Sequence, residues 1–203
     1  IETGIAKPAD VPEFGRKIHV EASRMIQLVN DILQLSSLDN ASETSSMPEM
    51  EVVDLLDVVK ECVERQKLNA RHAYITLTYL GESAPVRGNR NLLDELCQNL
   101  CDNAIRYNNK DKGGNVIVDV SNTLDGKVKL TVKDDGIGIG KEHQERIFER
   151  FYRVDKSRSR ESGGTGLGLA IVKHILTSHG AQLELESELG KGTCITVTFE
   201  GAK

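Results

Sequence analysis

Apolar positions in the first forty residues recur at near-heptad spacing. Phe14, Ile18, Met25, Val29 and Ile32 make one stripe, and Leu28 and Leu35 widen it. The pattern predicts a single long amphipathic helix from Pro12 to about Leu38. Gly4, Pro8 and Pro12 punctuate the chain before it; Asp39, Asn40, Ser42, Ser45, Ser46 and Pro48 follow it as a polar stretch with linker chemistry. The chain therefore divides into a helical segment (1–39), a linker (40–48) and a main domain (49–203). So long a helix has little globular material around it to bury its stripe. The stripe points to a second helix as partner, from an upstream segment or another copy, with packing back on the main domain as the alternative.

Beyond the linker the periodicity becomes mixed. Val52 and Val53 suggest a short strand, Asp54 can cap a helix running to about Asn69, and residues 73 to 79 alternate as a strand. A helix over 91–107 places Leu92, Leu93, Leu96, Cys97, Leu100 and Ala104 on one apolar face. Val116, Val118 and Val120, then Asp125-Gly126, then Val128, Leu130 and Val132 read as two strands around a type I′ hairpin signal. A short helix over 142–149, a polar loop over 153–163, a helix over 168–179 and a last hairpin carrying Leu183, Leu185, Ile195, Val197 and Phe199 complete the chain. Antiparallel hairpins with helices gathered on one face predict an α+β two-layer sandwich.

Composition narrows the function. The 203 residues are 38% hydrophobic and 28% charged, with no apolar run near the roughly 18 residues a bilayer span needs. Lys+Arg 26 against Asp+Glu 31 gives a net charge of -5, which removes the uniform basic field of a phosphate-gripping nucleic-acid binder. With no Trp and 4% aromatic residues, base-stacking platforms are scarce as well. Four cysteines without a CxxC pair form no disulfide framework and fit a reducing, cytoplasmic compartment.

Three segments carry chemistry. Asn99, Asn103, Arg106 and Tyr107 share a helix face at i, i+4, i+7 and i+8, offering amide oxygens for a hard cation and a guanidinium for phosphate; alone, the face also reads as an ordinary solvated one. Asp134-Asp135-Gly136-Ile137-Gly138 follows a strand, joining a carboxylate that can accept from an amino group to glycines that permit close backbone approach, though a plain turn would look the same. Gly163-Gly164-Thr165-Gly166-Leu167-Gly168-Leu169 opens a helix and presents free N–H groups to an anion. It lacks the Gly-Lys-Ser/Thr of a Walker A loop and the third glycine of a Rossmann fingerprint, so a nucleotide site of another kind is required.

In this order and spacing the segments resemble the N, G1 and G2 boxes of the ATP-binding domain of sensor histidine kinases, with Ile147-Phe148-Glu149-Arg150-Phe151-Tyr152-Arg153 as the F box. The preceding helix resembles the second helix of that family's dimerisation and histidine-phosphotransfer hairpin, so the resemblance spans essentially the whole chain. It implies a Bergerat-type (GHKL) sandwich that binds ATP with Mg²⁺. By motif, Asn103 is the Mg²⁺ ligand and Asn99 supports the phosphate and metal site. Arg106 stands where Lys is commoner, and Tyr107 lines the pocket. Asp134 receives the adenine N6 amino group, with Gly136 and Gly138 letting the base close in. Gly164, Thr165, Gly166, Leu167 and Gly168 cradle phosphates, and Arg153 reaches the γ-phosphate. Residues 152–163 are expected to be a mobile lid, with Phe148 and Phe151 as its anchors and Lys156, Arg158 and Arg160 as solvated charges.

The implied activity is transfer of the γ-phosphoryl of Mg·ATP to a histidine and thence to an aspartate of a response-regulator receiver domain. The parent would be a homodimer through the helical hairpin and the cytoplasmic part of a membrane-attached sensor. One departure is large: no His-Glu-x-x-Thr-Pro-like phosphoacceptor box occurs. His19 precedes Val20-Glu21-Ala22 and reads as a surface or interface histidine, and His72, His143, His174 and His179 fit no metal motif. The acceptor is expected upstream of Ile1, and this chain is expected not to label itself. Cys97 and Cys101 read as core residues. The rival readings are an ATP-driven clamp like the gyrase and mismatch-repair ATPases, although these place a water-activating Glu where this sequence has Asn99, and a non-catalytic nucleotide-binding interaction module.

Overall fold

A computed structural model describes residues 10–43, 49–108, 113–154 and 164–202. The first element, α1 (Val11–Glu43), is one unbroken helix of 33 residues. Its backbone stays helical through Asp39, Asn40 and Ser42, where the polar composition predicts an exit, because none of these residues is a helix-breaking Gly or Pro. The remainder of the expected linker, 44–48, lies outside the described residues, as do Gly4 and Pro8. Most of the apolar stripe is exposed, Ile18 at 64% and Met25 at 62%, whereas Asp31 and Leu35 are buried where α1 meets the main domain. Packing back thus covers one patch of the stripe and leaves the rest open.

The main domain starts with β1 (Glu51–Asp54) and α2 (Leu55–His72). Asp54 caps α2 as its residue type predicts: Oδ1 accepts from the Leu56 N–H at 3.0 Å and also from the Ala84 N–H at 3.1 Å. Then follow β2 (Ile75–Gly81), β3 (Pro85–Gly88) and α3 (Arg90–Arg106), which Asn89 caps through the Leu92 N–H at 3.1 Å. Strands β4 (Gly114–Asn122) and β5 (Lys127–Asp134) lead to α4 (Lys141–Gln144), a 3₁₀ turn (Arg146–Phe148), α5 (Gly168–His179), β6 (Gln182–Glu188) and β7 (Gly192–Glu200).

Five strands form one sheet in the order β2-β4-β5-β7-β6, and β1 pairs with β3 in a separate two-stranded ladder. The expected two-layer α+β sandwich is borne out. Helices α2, α3 and α5 are joined to the inner sheet face in one core, where Leu93, Leu96 and Leu100 of α3 and Val116, Val118, Val120, Leu130 and Val197 of the strands are almost fully buried. Each such side chain contributes about 1.5–3 kcal/mol.

The short helix expected over 142–149 is split into α4 and the 3₁₀ turn, and three details of the strands differ from the sequence expectation. Strand β2 runs parallel to β4, pairing Ile75 with Gly114 and Gly81 with Val120, so the sheet is mixed and α3 is its crossover. Strand β3 has only four residues, begins with Pro and ends with Gly, which leaves no alternation to read. The β4–β5 turn is not type I′. Only Gly126 takes a positive φ, +82°, while Thr123 and Lys127 pair at 2.8 Å and the Gly126 N–H bonds back to the Thr123 carbonyl at 3.1 Å. Asp125 thereby avoids the left-handed conformation that type I′ demands of both central residues.

Candidate functional site

The last two turns of α3, the start of α5 and the loop after β5 converge at one end of the sandwich. A Cβ on Gly168 would lie 2.7 Å from Asn99 Oδ1 and 3.9 Å from Asn103 Nδ2, so α5 begins pressed against both amides. Asn99 Nδ2 donates to the Glu95 carbonyl at 3.1 Å, which fixes the amide and leaves Oδ1 toward the helix start. At Gly164 a Cβ would lie 2.8 Å from Arg106 Nη1, 3.5 Å from Tyr107 Oη and 3.7 Å from Arg153 Nη2. Two guanidinium groups therefore flank one point. Burial lowers the Arg153 pKa from its ordinary value, and Arg24 and Arg106 push it the same way, opposed by Tyr107. An anion between the two arginines removes their mutual repulsion.

The glycine-rich segment is held from three sides. Leu167 is fully buried; the Phe151 N–H donates to the Gly166 carbonyl at 2.9 Å; Thr165 Oγ1 donates to Asp31 Oδ2 of α1 at 2.6 Å. Gly166 takes φ +77°, and a Cβ there would lie 3.0 Å from the Phe151 carbonyl carbon, so the F box and this loop touch backbone to backbone. Phe148 is half-buried and Phe151 is 58% exposed. Lys156, Arg158, Arg160 and Gly163 lie outside the described residues, as does most of the expected lid.

Asp134 ends β5. Its Oδ1 accepts from the Gly136 N–H at 2.9 Å and the Thr193 N–H at 3.3 Å, which leaves Oδ2 for an incoming donor. Burial pushes its carboxyl up to about 6, partly offset by those two hydrogen bonds, with Asp135 adding to the rise. The loop is stitched to the end of α3 through the Ile137 N–H and the Tyr107 carbonyl, 3.1 Å, and to the β6–β7 turn through the Gly190 N–H and the Ile137 carbonyl, 2.7 Å. The two glycines serve this closure. A Cβ on Gly136 would meet the Tyr107 carbonyl oxygen, and one on Gly138, at φ +65°, would run into that of Glu188.

The structure thus brings Asn99, Asn103, Arg106, Tyr107, Arg153, Gly164 and Gly168 together where α3 meets the start of α5, with Asp134 and Gly136 placed beside Tyr107. Among the described residues no cluster of three or more His, Cys, Asp or Glu suits a metal. The donor set fits a hard cation held by a single amide oxygen, that of Asn103, together with substrate phosphates and water. Sequence reasoning missed Asp31, Glu95 and the pair His143–Tyr152. Glu95 had a signal, one turn before Asn99 on the same face; burial, then Asp31 and Asp94, raise its carboxyl to about 7. No helix among the described residues is long and apolar enough to cross a membrane.

A family model described as histidine kinase-, DNA gyrase B- and HSP90-like ATPase matches residues 88–203. The chain is 38% identical over 196 residues to the sensor-like histidine kinase SenX3 of Mycolicibacterium smegmatis, covering 95% of this chain and 49% of that protein. It is 36% identical over 200 residues to the sensor protein kinase WalK of Staphylococcus saprophyticus, covering 98% of this chain and 32% of that protein. Full-length ShkA, solved in complex with AMPPNP, superposes with a TM-score of 0.76 at 25% identity over 90% of this chain and 37% of that one. The chain spans half or less of the length of these curated relatives.

Proposed function

The chain belongs to the histidine kinase-, DNA gyrase B- and HSP90-like ATPase family, and from that premise we propose that it is the ATP-binding catalytic part of a sensor protein-histidine kinase. The observation that carries this reading is that similarity to sensor kinases covers 95% of the chain, α1 included, rather than the ATP-binding domain alone. In this reading adenine sits beside Asp134, whose Oδ2 accepts the N6 amino hydrogen. Asn103 would hold Mg²⁺, which supplies charge neutralisation at the phosphates. Arg106 and Arg153 grip the terminal phosphate, and the N–H groups at the start of α5 orient it. A histidine nitrogen forms the new bond to the γ-phosphorus as the bond to the bridging oxygen breaks, and ADP departs. The protein contributes position and countercharge, since a loose phosphoryl-transfer transition state asks for little else. The clamp-ATPase alternative is not favoured: Asn99 presents an amide, which takes no proton from water.

The same proposal extends to the whole protein. An acceptor histidine is supplied by residues outside this chain, a second copy covers the α1 stripe, a receiver-domain aspartate takes the phosphoryl group, and the assembly is the cytoplasmic part of a membrane-attached sensor. Titration with ATP and ADP, with and without Mg²⁺, followed by incubation with γ-labelled ATP, tests the core of it. Mg²⁺-dependent ATP binding without acid-labile label is expected. Failure to bind ATP overturns the site; stoichiometric label on His19 overturns the acceptor assignment.

A further inference from the structure

A polar clamp that neither the glycine-rich loop nor the amides of α3 explain ties the end of the F box to α4. Tyr152 Oη lies 2.8 Å from Nδ1 of His143, bridging from α4 past the 3₁₀ turn (Arg146–Phe148). The Arg146 guanidinium carbon sits 4.2 Å from the centroid of the Tyr152 ring, and the His143 ring meets that ring tilted at 46°. The Glu142 carboxylate stands 3.6 Å from Nε2 of His143, which favours the proton on Nε2 and leaves Nδ1 to accept from the Tyr152 hydroxyl. Both His143 and Tyr152 are half-buried.

What the clamp holds is the backbone leading to Arg153. Immediately before Tyr152, Phe151 takes φ +63°, a conformation that a bulky side chain adopts only under constraint from its surroundings. That constraint is two-sided. On one side the Phe151 N–H is tied to the Gly166 carbonyl, and a Cβ on Gly166 would stand 3.2 Å from the Tyr152 carbonyl oxygen. On the other side are His143 and Arg146, gripping the Tyr152 ring. Arg153 follows directly and lies with Arg106 beside Gly164.

We infer that His143 and Tyr152 are positioning residues that act through Arg153, setting how strongly the site distinguishes a triphosphate from a diphosphate. The inference rests on the reading of Arg153 as a terminal-phosphate ligand. Without the hydroxyl-to-imidazole bond the ring swings, the Phe151 backbone relaxes and the guanidinium leaves the phosphate position, while the adenine end at Asp134 is untouched.

The test measures binding of ATP, ADP and adenosine to the 203-residue chain and to Tyr152→Phe, His143→Ala, His143→Asn and Arg153→Ala, each checked for an unchanged melting transition. Losing one neutral hydrogen bond corresponds to about a two- to tenfold effect. Tyr152→Phe and His143→Ala are expected to lower the ATP-to-ADP affinity ratio by that factor with adenosine binding unchanged. His143→Asn, whose amide can occupy the Nδ1 position, restores the ratio, and the double variant His143→Ala with Tyr152→Phe is no worse than either alone. Equal loss of adenosine binding would mean a merely structural role and overturn the inference. If Arg153→Ala abolishes the ratio but the His143 and Tyr152 variants keep it, the positioning role alone falls. If Arg153→Ala keeps the ratio, the reading of Arg153 falls with it.

Discussion

In the proposed binding mode, Asp134 combines an adenine acceptor with a pH response. Its carboxyl titrates near 6 because burial disfavours the charge, and two backbone N–H groups on Oδ1 recover only part of the cost. Accepting the adenine amino hydrogen favours the ionised form. Affinity for adenosine, which carries no titrating phosphate, is therefore expected to be full above pH 6 and to weaken as pH falls through it. Asp134→Asn should remove that pH dependence and cost about 1.5–3 kcal/mol for adenine nucleotides, the range for a hydrogen bond to a charged group. Titrations with ATP and GTP measure the specificity: the adenine preference should vanish in the variant, and equal losses for both nucleotides would deprive Asp134 of its adenine role.

At the scale of elements, two glycines of similar appearance do different work. Gly168 opens α5 at a distance where a Cβ would press on Asn99 Oδ1, the end of a side chain that can rotate away at the cost of its hydrogen bond to the Glu95 carbonyl. Gly138 sits at φ +65° where a Cβ would strike the Glu188 backbone, which cannot. Gly168→Ala should leave the melting temperature nearly unchanged and weaken ATP relative to adenosine, because in the proposed binding mode the displaced amide lies at the phosphate end. Gly138→Ala should instead destabilise the domain by about 1–3 kcal/mol or more, through left-handed strain and a separated β6–β7 turn, with a correspondingly lower melting temperature. Thermal melts and nucleotide titrations on the two variants separate these outcomes. The hairpin at Asp125-Gly126 follows the same logic: the strand alternation around it was readable, but the turn type depended on which residue could accept a positive φ.

At the scale of the whole molecule, α1 touches the main domain where Asp31 meets Thr165, with Glu95 nearby on α3. Asp31 is 6% exposed and accepts from Gln27 at 2.7 Å and Thr165 at 2.6 Å. Burial and the negative charges of Asp31 and Asp94 raise the Glu95 carboxyl from 4.5 to about 7. Between those values the folded state holds a proton that the unfolded chain has released, so stability falls as pH rises through this window. Glu95→Gln should flatten that slope, matching the parent near pH 4.5 and exceeding it at pH 8 in melting temperature. The sequence by itself determined what short-range pattern can encode: the amphipathic helices, the alternating β4 and β5, the cap at Asp54, and the glycine, asparagine and aspartate spacings that point to the family. Only the tertiary structure decided the parallel β2–β4 ladder, the short β3, the bond from Thr165 to Asp31 and the clamp of His143 on Tyr152. A helix face or a hairpin writes its partners within a few residues of one another. Thr165 and Asp31 lie 134 residues apart, and His143 and Tyr152 are separated by a helix break, so no periodicity joins them. Their contacts arise from how the packed layers bring distant segments to one end of the sheet.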